Sequence, residues 1–285
     1  MKAMVKNKLI WHKIHLVIKI FIISLVSNTL KAQVLQEDKN RPDFLLDTVI
    51  KEDSFNSERS FEKSWNYFYP WGDTHNGSAK MYKKNIALLK GGILKLTSEK
   101  IYKNEGISKN PPYLKINYHS GAVFSKELIT VTDSTPQYVI SGYFKAPTKK
   151  GTWPAFWLTA AKSWPPEIDI LEYKGNHENW QNTFTTTSKF ATKRTFLIDA
   201  DSQWHQYKVI LKKYDSNHIT VEYYIDNRNV EIHDGTSYMN KPLHLIINLQ
   251  MEAVSGEPGP SGKTNYFAKD VEVIRFIKRD YLKGF

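Results

Sequence analysis

Cysteine is absent from the 285 residues. Disulfides, thiolate metal sites and a lipid anchor on an N-terminal cysteine are thereby excluded, and stability must come from a large core. The sequence has no Gly-x-Ser-x-Gly elbow of the kind that carries a Ser-His-Asp triad, no clear metal-ligand spacing and no internal repeat. No long segment carries a strong helical period, and no apolar run reaches the ~20 residues of a membrane-spanning helix. Acidic residues are missing altogether from residues 1–32, which hold six lysines: Lys2, Lys6, Lys8, Lys13, Lys19 and Lys31.

That acid-free opening reads as an export signal. Its basic start precedes the short apolar run from Leu16 to Val26, broken by Lys19, and cleavage is expected after Ala32. The expectation is a secreted chain with no stable membrane anchor, periplasmic or extracellular. A buried first helix is the alternative reading of the same stretch. The formal charge of +11 shrinks once the signal is removed, because 34 basic residues then face 29 acidic ones, leaving +5. Such a mild excess is compatible with an anionic polysaccharide without demanding one, and it is too small to argue for nucleic acid.

What the chain has in quantity is aromatic residues, with 8 Trp, 16 Tyr and 14 Phe, which are strand formers. Residues 33–46 read as a polar tether. From Asp47 onward, short apolar runs alternate with turn residues, as in 86–98, 138–146, 207–213, 219–227, 243–251 and 271–278. In 219–225, Ile219, Val221, Tyr223 and Ile225 alternate with period two. Breakers at Gly91-Gly92, Asp215-Ser216-Asn217 and Asp226-Asn227-Arg228-Asn229 read as hairpin turns. The expectation is an all-β sandwich or jelly roll filling residues 47–285 as one domain and working as a monomer. Two rich loops, 69–82 and 252–266, either shape a binding site or merely connect strands.

The chemistry concentrates in 151–176. Glu167, Asp169 and Glu172 lie within six residues of a strand, around Ile168, Ile170 and Leu171. Side chains alternate along a strand, so Glu167 and Asp169 share a face. Glu172 is an odd number of residues from Glu167, and a regular strand would drive it into the core, where an unpaired carboxylate is costly. One β-bulge near Ile170-Leu171 restores all three acids to one exposed face. Their mutual repulsion raises at least one pKa, as a general acid at neutral pH requires. The competing reading is a solvated strand that happens to be acidic. Trp153, Trp157 and Trp164, just upstream, favour a sugar cleft, because flat rings suit the apolar faces of sugars.

The sequence resembles glycoside hydrolase family 16, the clan of laminarinases, lichenases, agarases, porphyranases and κ-carrageenases. The resemblance rests on WPAFWL (153–158) followed by EIDILE (167–172) and Tyr173, with further matches at 118–123, 202–227, 242–250 and 271–278. It implies a jelly roll of two curved antiparallel sheets, of the concanavalin A-like lectin and glucanase type, with an open cleft. It also implies endo-acting, retaining hydrolysis of a β-linked polysaccharide. Glu167 would be the nucleophile, Asp169 its helper and Glu172 the general acid/base. No cofactor is required; relatives often hold a structural calcium, but no residues here identify one.

Trp153, Trp157, Trp164 and Asn76 are candidate sugar contacts, as are Trp71 and His75, for which packing within the loop is an equal alternative. His119 is expected on the concave sheet, as a structural histidine. Two departures stand out. Gln181-Asn-Thr-Phe-Thr-Thr-Thr187 replaces a His-containing segment, and Asn248-Leu-Gln250-Met-Glu252 replaces a Gly-rich turn of laminarinases. These departures and the basic balance favour an algal galactan over β-1,3-glucan. A lectin-like binding protein and a polysaccharide lyase using Lys162, His119 or a Tyr are the competing functions.

Overall fold

A computed structural model describes residues 43–282 of the chain. The expected signal (1–32) and most of the expected tether (33–46) lie outside the described residues. The chain divides into two compact units, one of residues 1–46 with 278–285 and the other of 47–277. Of the first unit little is described beyond the Arg279 amide donating to the Asp43 carbonyl at 2.9 Å. The second unit holds nearly all of the strand residues.

In chain order the strands are β1 (Phe44–Ile50), β2 (Trp65–Tyr67), β3 (Ala79–Met81), β4 (Ile86–Leu89), β5 (Ile93–Lys100), β6 (Tyr118–Ser120), β7 (Ala122–Ser125), β8 (Gln137–Lys145), β9 (Thr152–Ala160), β10 (Glu167–Glu172), β11 (Glu178–Phe184), β12 (Phe190–Phe196), β13 (His205–Lys213), β14 (His218–Ile225), β15 (Arg228–Thr236), β16 (Leu243–Met251) and β17 (Thr264–Lys278). β1 thus begins inside the stretch read as a tether. A short helix, α1 (Glu58–Ser64), precedes β2; the Ser57 hydroxyl accepts from the Ser60 amide at 3.1 Å and the Ser60 hydroxyl from the Ser57 amide at 3.0 Å. That reciprocal capping box holds a helix too short for periodicity to reveal.

Among the described residues the strands form two sheets. The larger runs β15-β14-β13-β8-β17-β5-β6-β3, with β1 beside β17 and β4 beside β5; the smaller runs β12-β11-β10-β9-β16-β7-β2. The smaller sheet is antiparallel throughout. This is the expected all-β jelly roll. The two sheets bury their apolar faces against each other, as the period-two pattern requires. Ile219, Val221 and Tyr223 of β14 point inward with Val209 and Leu211 of β13. Across the gap, Phe144 of β8 meets Phe156 of β9 at 4.7 Å between ring centroids. The Tyr173 and Tyr207 hydroxyls hydrogen-bond at 2.8 Å, so these buried phenols satisfy one another. The other face of the smaller sheet, centred on β9, β10 and β16, carries the polar residues of the candidate site.

Candidate active site

The odd spacing of Glu167 and Glu172 is resolved by a bulge. β10 pairs with β9 as Glu167↔Thr159, Ile168↔Leu158 and Asp169↔Trp157, then resumes at Leu171↔Phe156 and Glu172↔Ala155. Ile170 is the extra residue. Its insertion lets Ile168, Ile170 and Leu171 all enter the core while Glu167, Asp169 and Glu172 face away from it. The three acids line one cavity with Trp153, Ala155 and Trp157 of β9, Asn248 and Gln250 of β16, and His75 and Asn76 of the 69–82 loop. The face was expected to be exposed. Instead Asp169 and Glu172 are buried and only Glu167 is half-buried, because the flanking Trp side chains and the 69–82 loop wall the strand in.

Each acid has its own set of donors. Glu172 receives Trp153 Nε1 at 2.7 Å on Oε1, and Asn182 Nδ2 and Lys174 Nζ, both at 2.9 Å, on Oε2. Its backbone amide is fixed by Asn179 Oδ1 at 2.9 Å. Asp169 accepts from Asn182 Nδ2 at 2.7 Å, and Glu167 from Trp164 Nε1 at 2.9 Å. Burial, then the Glu172 charge, raise Glu167 from 4.5 to about 8, against the lowering effect of Trp164 and Lys174. Burial and both glutamates push Asp169 well above the usual carboxylate range. Glu167 and Asp169 are therefore held toward their protonated forms at neutral pH.

Of the aromatic candidates, Trp153, Trp157 and His75 line the cavity, while Trp71 and Trp164 lie outside its lining. Trp153 and Trp157 line the cavity; Trp157 Nε1 donates to Asn248 Oδ1 at 2.7 Å. Trp164 lies outside the lining, 51 % exposed, and touches Glu167 through its indole N–H. Trp71 stacks on Tyr69 at 5.3 Å and meets Trp157 edge-on at 6.1 Å. His75 stacks on Trp157 at 5.9 Å, and burial lowers its pKa to about 4, so it is neutral. The 69–82 loop is therefore part of the site. Gln250 pins it: Oε1 accepts from the Ala79 amide at 2.8 Å, and Gly77 packs so closely that a Cβ there would lie 2.4 Å from Gln250 Cγ. The 252–266 loop lies outside the cavity lining. In it Glu252 is tied down by Asn117 Nδ2 at 2.9 Å and the Gly259 amide at 3.0 Å.

His119 is a correction. It sits on β6 of the larger sheet, not on the sheet that bears the acids, and its Nε2 pairs with Glu105 Oε1 at 2.9 Å. Lys162 is exposed in the β9–β10 connection and does not line the cavity. Asn182, Lys174, Asn179, Asn248 and Gln250 join the site without having been named as candidates, although Asn182 lies in one of the two departing segments and Asn248 and Gln250 in the other. Asn248 and Gln250 left a signal, since amides two apart in the otherwise apolar run 245–251 must find partners. Asn182 left less, because its place opposite Asp169 depends on the β10–β11 register. Among the described residues no group of His, Asp or Glu is suited to hold a metal ion, and no calcium site is assigned.

A two-sheet jelly roll with three acids of the bulged strand β10 facing a cavity beside tryptophans of its neighbour β9 is the arrangement of a glycosidase. The sequence pattern of glycosyl hydrolases family 16 matches residues 94–267, and the chain belongs to that family. It is 43 % identical over 231 residues to a galactan endo-beta-1,3-galactanase of Flammulina velutipes, covering 80 % of this chain and 90 % of that one. Among solved structures, a laminarinase from Flavobacterium sp. UMI-01 superposes with a TM-score of 0.59 at 20 % identity, over 83 % of this chain and 100 % of that one. An endo-1,3-beta-glucanase from Streptomyces sioyaensis gives 0.61 at 17 %, over 83 % and 96 %. At such identities these two similarities speak for the fold alone. The chain is an endo-acting, retaining O-glycosyl hydrolase of a β-linked polysaccharide.

Proposed function

We propose that the chain hydrolyses β-1,3-linked galactan at internal bonds, with Glu167 as nucleophile, Glu172 as general acid/base and Asp169 as the helper between them. The observation that carries the mechanism is the bulge at Ile170, which brings the three acids to one cavity. The substrate follows the Flammulina velutipes galactanase, to which similarity spans most of both chains. The amides Asn248 and Gln250, standing where laminarinases have a Gly-rich turn, support a substrate other than β-1,3-glucan.

The chemistry closes without a cofactor. Glu172 gives a proton to the glycosidic oxygen while a Glu167 carboxylate oxygen attacks the anomeric carbon; the C–O bond breaks and the leaving chain departs with that proton. Glu172, now a carboxylate, takes a proton from water, whose oxygen attacks the same carbon and releases Glu167. Glu167 must be ionised to attack, so the proton that burial favours on it has to leave before the step. The indole N–H of Trp164 supports its anion. His75 Nδ1 and Asn76 Oδ1 are buried without a protein partner and offer hydrogen bonds to sugar hydroxyls. Lyase chemistry gains no support from Lys162 or His119, both away from the acids.

Cleavage of linear β-1,3-galactan, laminarin and sulfated galactans, with product sizing, tests this reading. Glu172→Gln should lose about 10²–10⁴-fold in rate, and Glu167→Gln, which has no carboxylate to form the covalent intermediate, at least as much. Near-wild-type cleavage by either variant sinks the role assignment, and faster cleavage of laminarin than galactan sinks the substrate. Export with cleavage near Ala32 belongs to the same reading, and N-terminal sequencing of the secreted chain tests it.

A further inference from the structure

The cavity face of the smaller sheet continues past the acids onto β11 and β12. Asn182, which touches Asp169 and Glu172, fixes the parity: Trp180 shares its face, and Trp180 pairs across the ladder with Arg194 of β12. β12 is the last strand of this sheet, and the Arg194 side chain is 55 % exposed. Its guanidinium carbon lies 4.0 Å from the Trp180 ring centroid, while Lys174 Nζ lies 4.4 Å from the same centroid and 2.9 Å from Glu172 Oε2. Two cations thus flank one indole immediately beside the acid/base candidate.

This placement needs a reason. Glu167 must be ionised to attack, and a carboxylate there disfavours a negatively charged sugar chain unless cations stand nearby. A lone exposed ion pair such as Arg194–Glu178, at 3.9 Å, adds little stability. Contact with the face of an indole, by contrast, restrains the Arg194 side chain, and a side chain already held loses less entropy on binding an anion. The Trp180 Nε1 is itself buried without a partner.

We propose that Lys174, Trp180 and Arg194 form a subsite for an anionic substituent of the glycan, a carboxylate or a sulfate ester, next to the bond that is cut. The inference rests on the galactanase reading and deepens it: the substrate is a galactan bearing acidic groups. Arg194 supplies directional N–H donors, Lys174 a second positive charge, and Glu178 a competing carboxylate that the substrate anion displaces.

Equilibrium binding separates this inference from the galactanase reading, because it needs no turnover. The mature chain carrying Glu167→Gln is titrated with neutral galacto-oligosaccharides and with the same oligosaccharides bearing either a uronate or a sulfate, and the titration is repeated with Arg194→Gln and Arg194→Lys added. The charged-over-neutral affinity ratio should fall about tenfold in Arg194→Gln, be partly kept in Arg194→Lys, and fall with added salt. The arm with the larger ratio identifies the anion. A ratio near one before Arg194 is changed, or a ratio that Arg194→Gln leaves intact, overturns the subsite. Failure of the unmutated chain to cut any galactan, with the ratio behaving as expected, overturns the galactanase reading and leaves the subsite standing.

Discussion

Replacing Asn182 by alanine tests how much of the acid cluster's behaviour comes from one amide. Asn182 Nδ2 donates to Asp169 Oδ2 at 2.7 Å and to Glu172 Oε2 at 2.9 Å, and its own oxygen accepts from Thr192 Oγ1 at 2.8 Å. Glu172 keeps Trp153 and Lys174 when Asn182 goes, so the loss falls mainly on Asp169. A hydrogen bond to a charged group contributes about 1.5–3 kcal/mol net, and ~1.4 kcal/mol is tenfold in rate. The variant should therefore lose about 10- to 100-fold in kcat/KM. The Asn182 bond lowers the Asp169 pKa against burial. Its removal raises that pKa further, so the pH profile should move upward rather than merely shrink. Asn182→Asp is the sharper companion: similar in size, it adds a fourth carboxylate and removes both donors, and should be worse than alanine. The assay is kcat/KM against pH on linear β-1,3-galactan, with the thermal midpoint recorded alongside. Asn182→Ala within twofold of wild type, with an unmoved profile, would refute the reasoning.

Three further perturbations probe the same geometry. Trp153→Phe keeps the ring but removes the 2.7 Å donor to Glu172, and about a tenfold or larger fall in kcat/KM is expected on the galactan assay. Glu167→Gln should change stability in a pH-dependent way: because folding raises this pKa from 4.5 to about 8, the folded state binds the proton more tightly, and wild-type stability falls as pH rises through that window. The variant should then melt above wild type at pH 8, by roughly 2–4 °C for each kcal/mol regained, and alongside it at pH 4, where both states hold the proton; melting curves at the two pH values decide it. Deleting Ile170 removes the extra residue and leaves Glu167, Asp169 and Glu172 at regular alternate positions on one face, so the variant should still cleave galactan at a measurable rate while the lost buried side chain lowers the thermal midpoint; a folded deletion with no cleavage at all would mean that the bulge does more than restore the parity of Glu172.

Much of this site is legible in the sequence because it breaks a rule of strands. The odd interval between Glu167 and Glu172, set among isoleucines that belong inside, admits few conformations, and a bulge satisfies both the acids and the core. Period two in 219–225 likewise places β14 without help from its neighbours. What is not legible depends on how strands far apart in sequence align. Asn182 and Lys174 look like ordinary polar residues until β11 is laid beside β10. His119 falls on the other sheet from the one expected, because a three-residue strand carries too little pattern to say which sheet it joins. The burial of the acids escapes the sequence for a similar reason: the walls come from the 69–82 loop, held by Gln250 from 171 residues away in sequence. The α1 helix is invisible to periodicity because seven residues span too few turns for a period to emerge.

Glu167, and not its neighbours, is expected to bond to the sugar. A galacto-oligosaccharide fluorinated at C2 and carrying a good leaving group slows release of the covalent intermediate, which can then be digested and located by mass spectrometry. A single glycosyl adduct is expected on the peptide containing Glu167, at its carboxylate. An adduct on Asp169 or Glu172, or turnover of this reagent with inverted product and no adduct, would contradict that assignment.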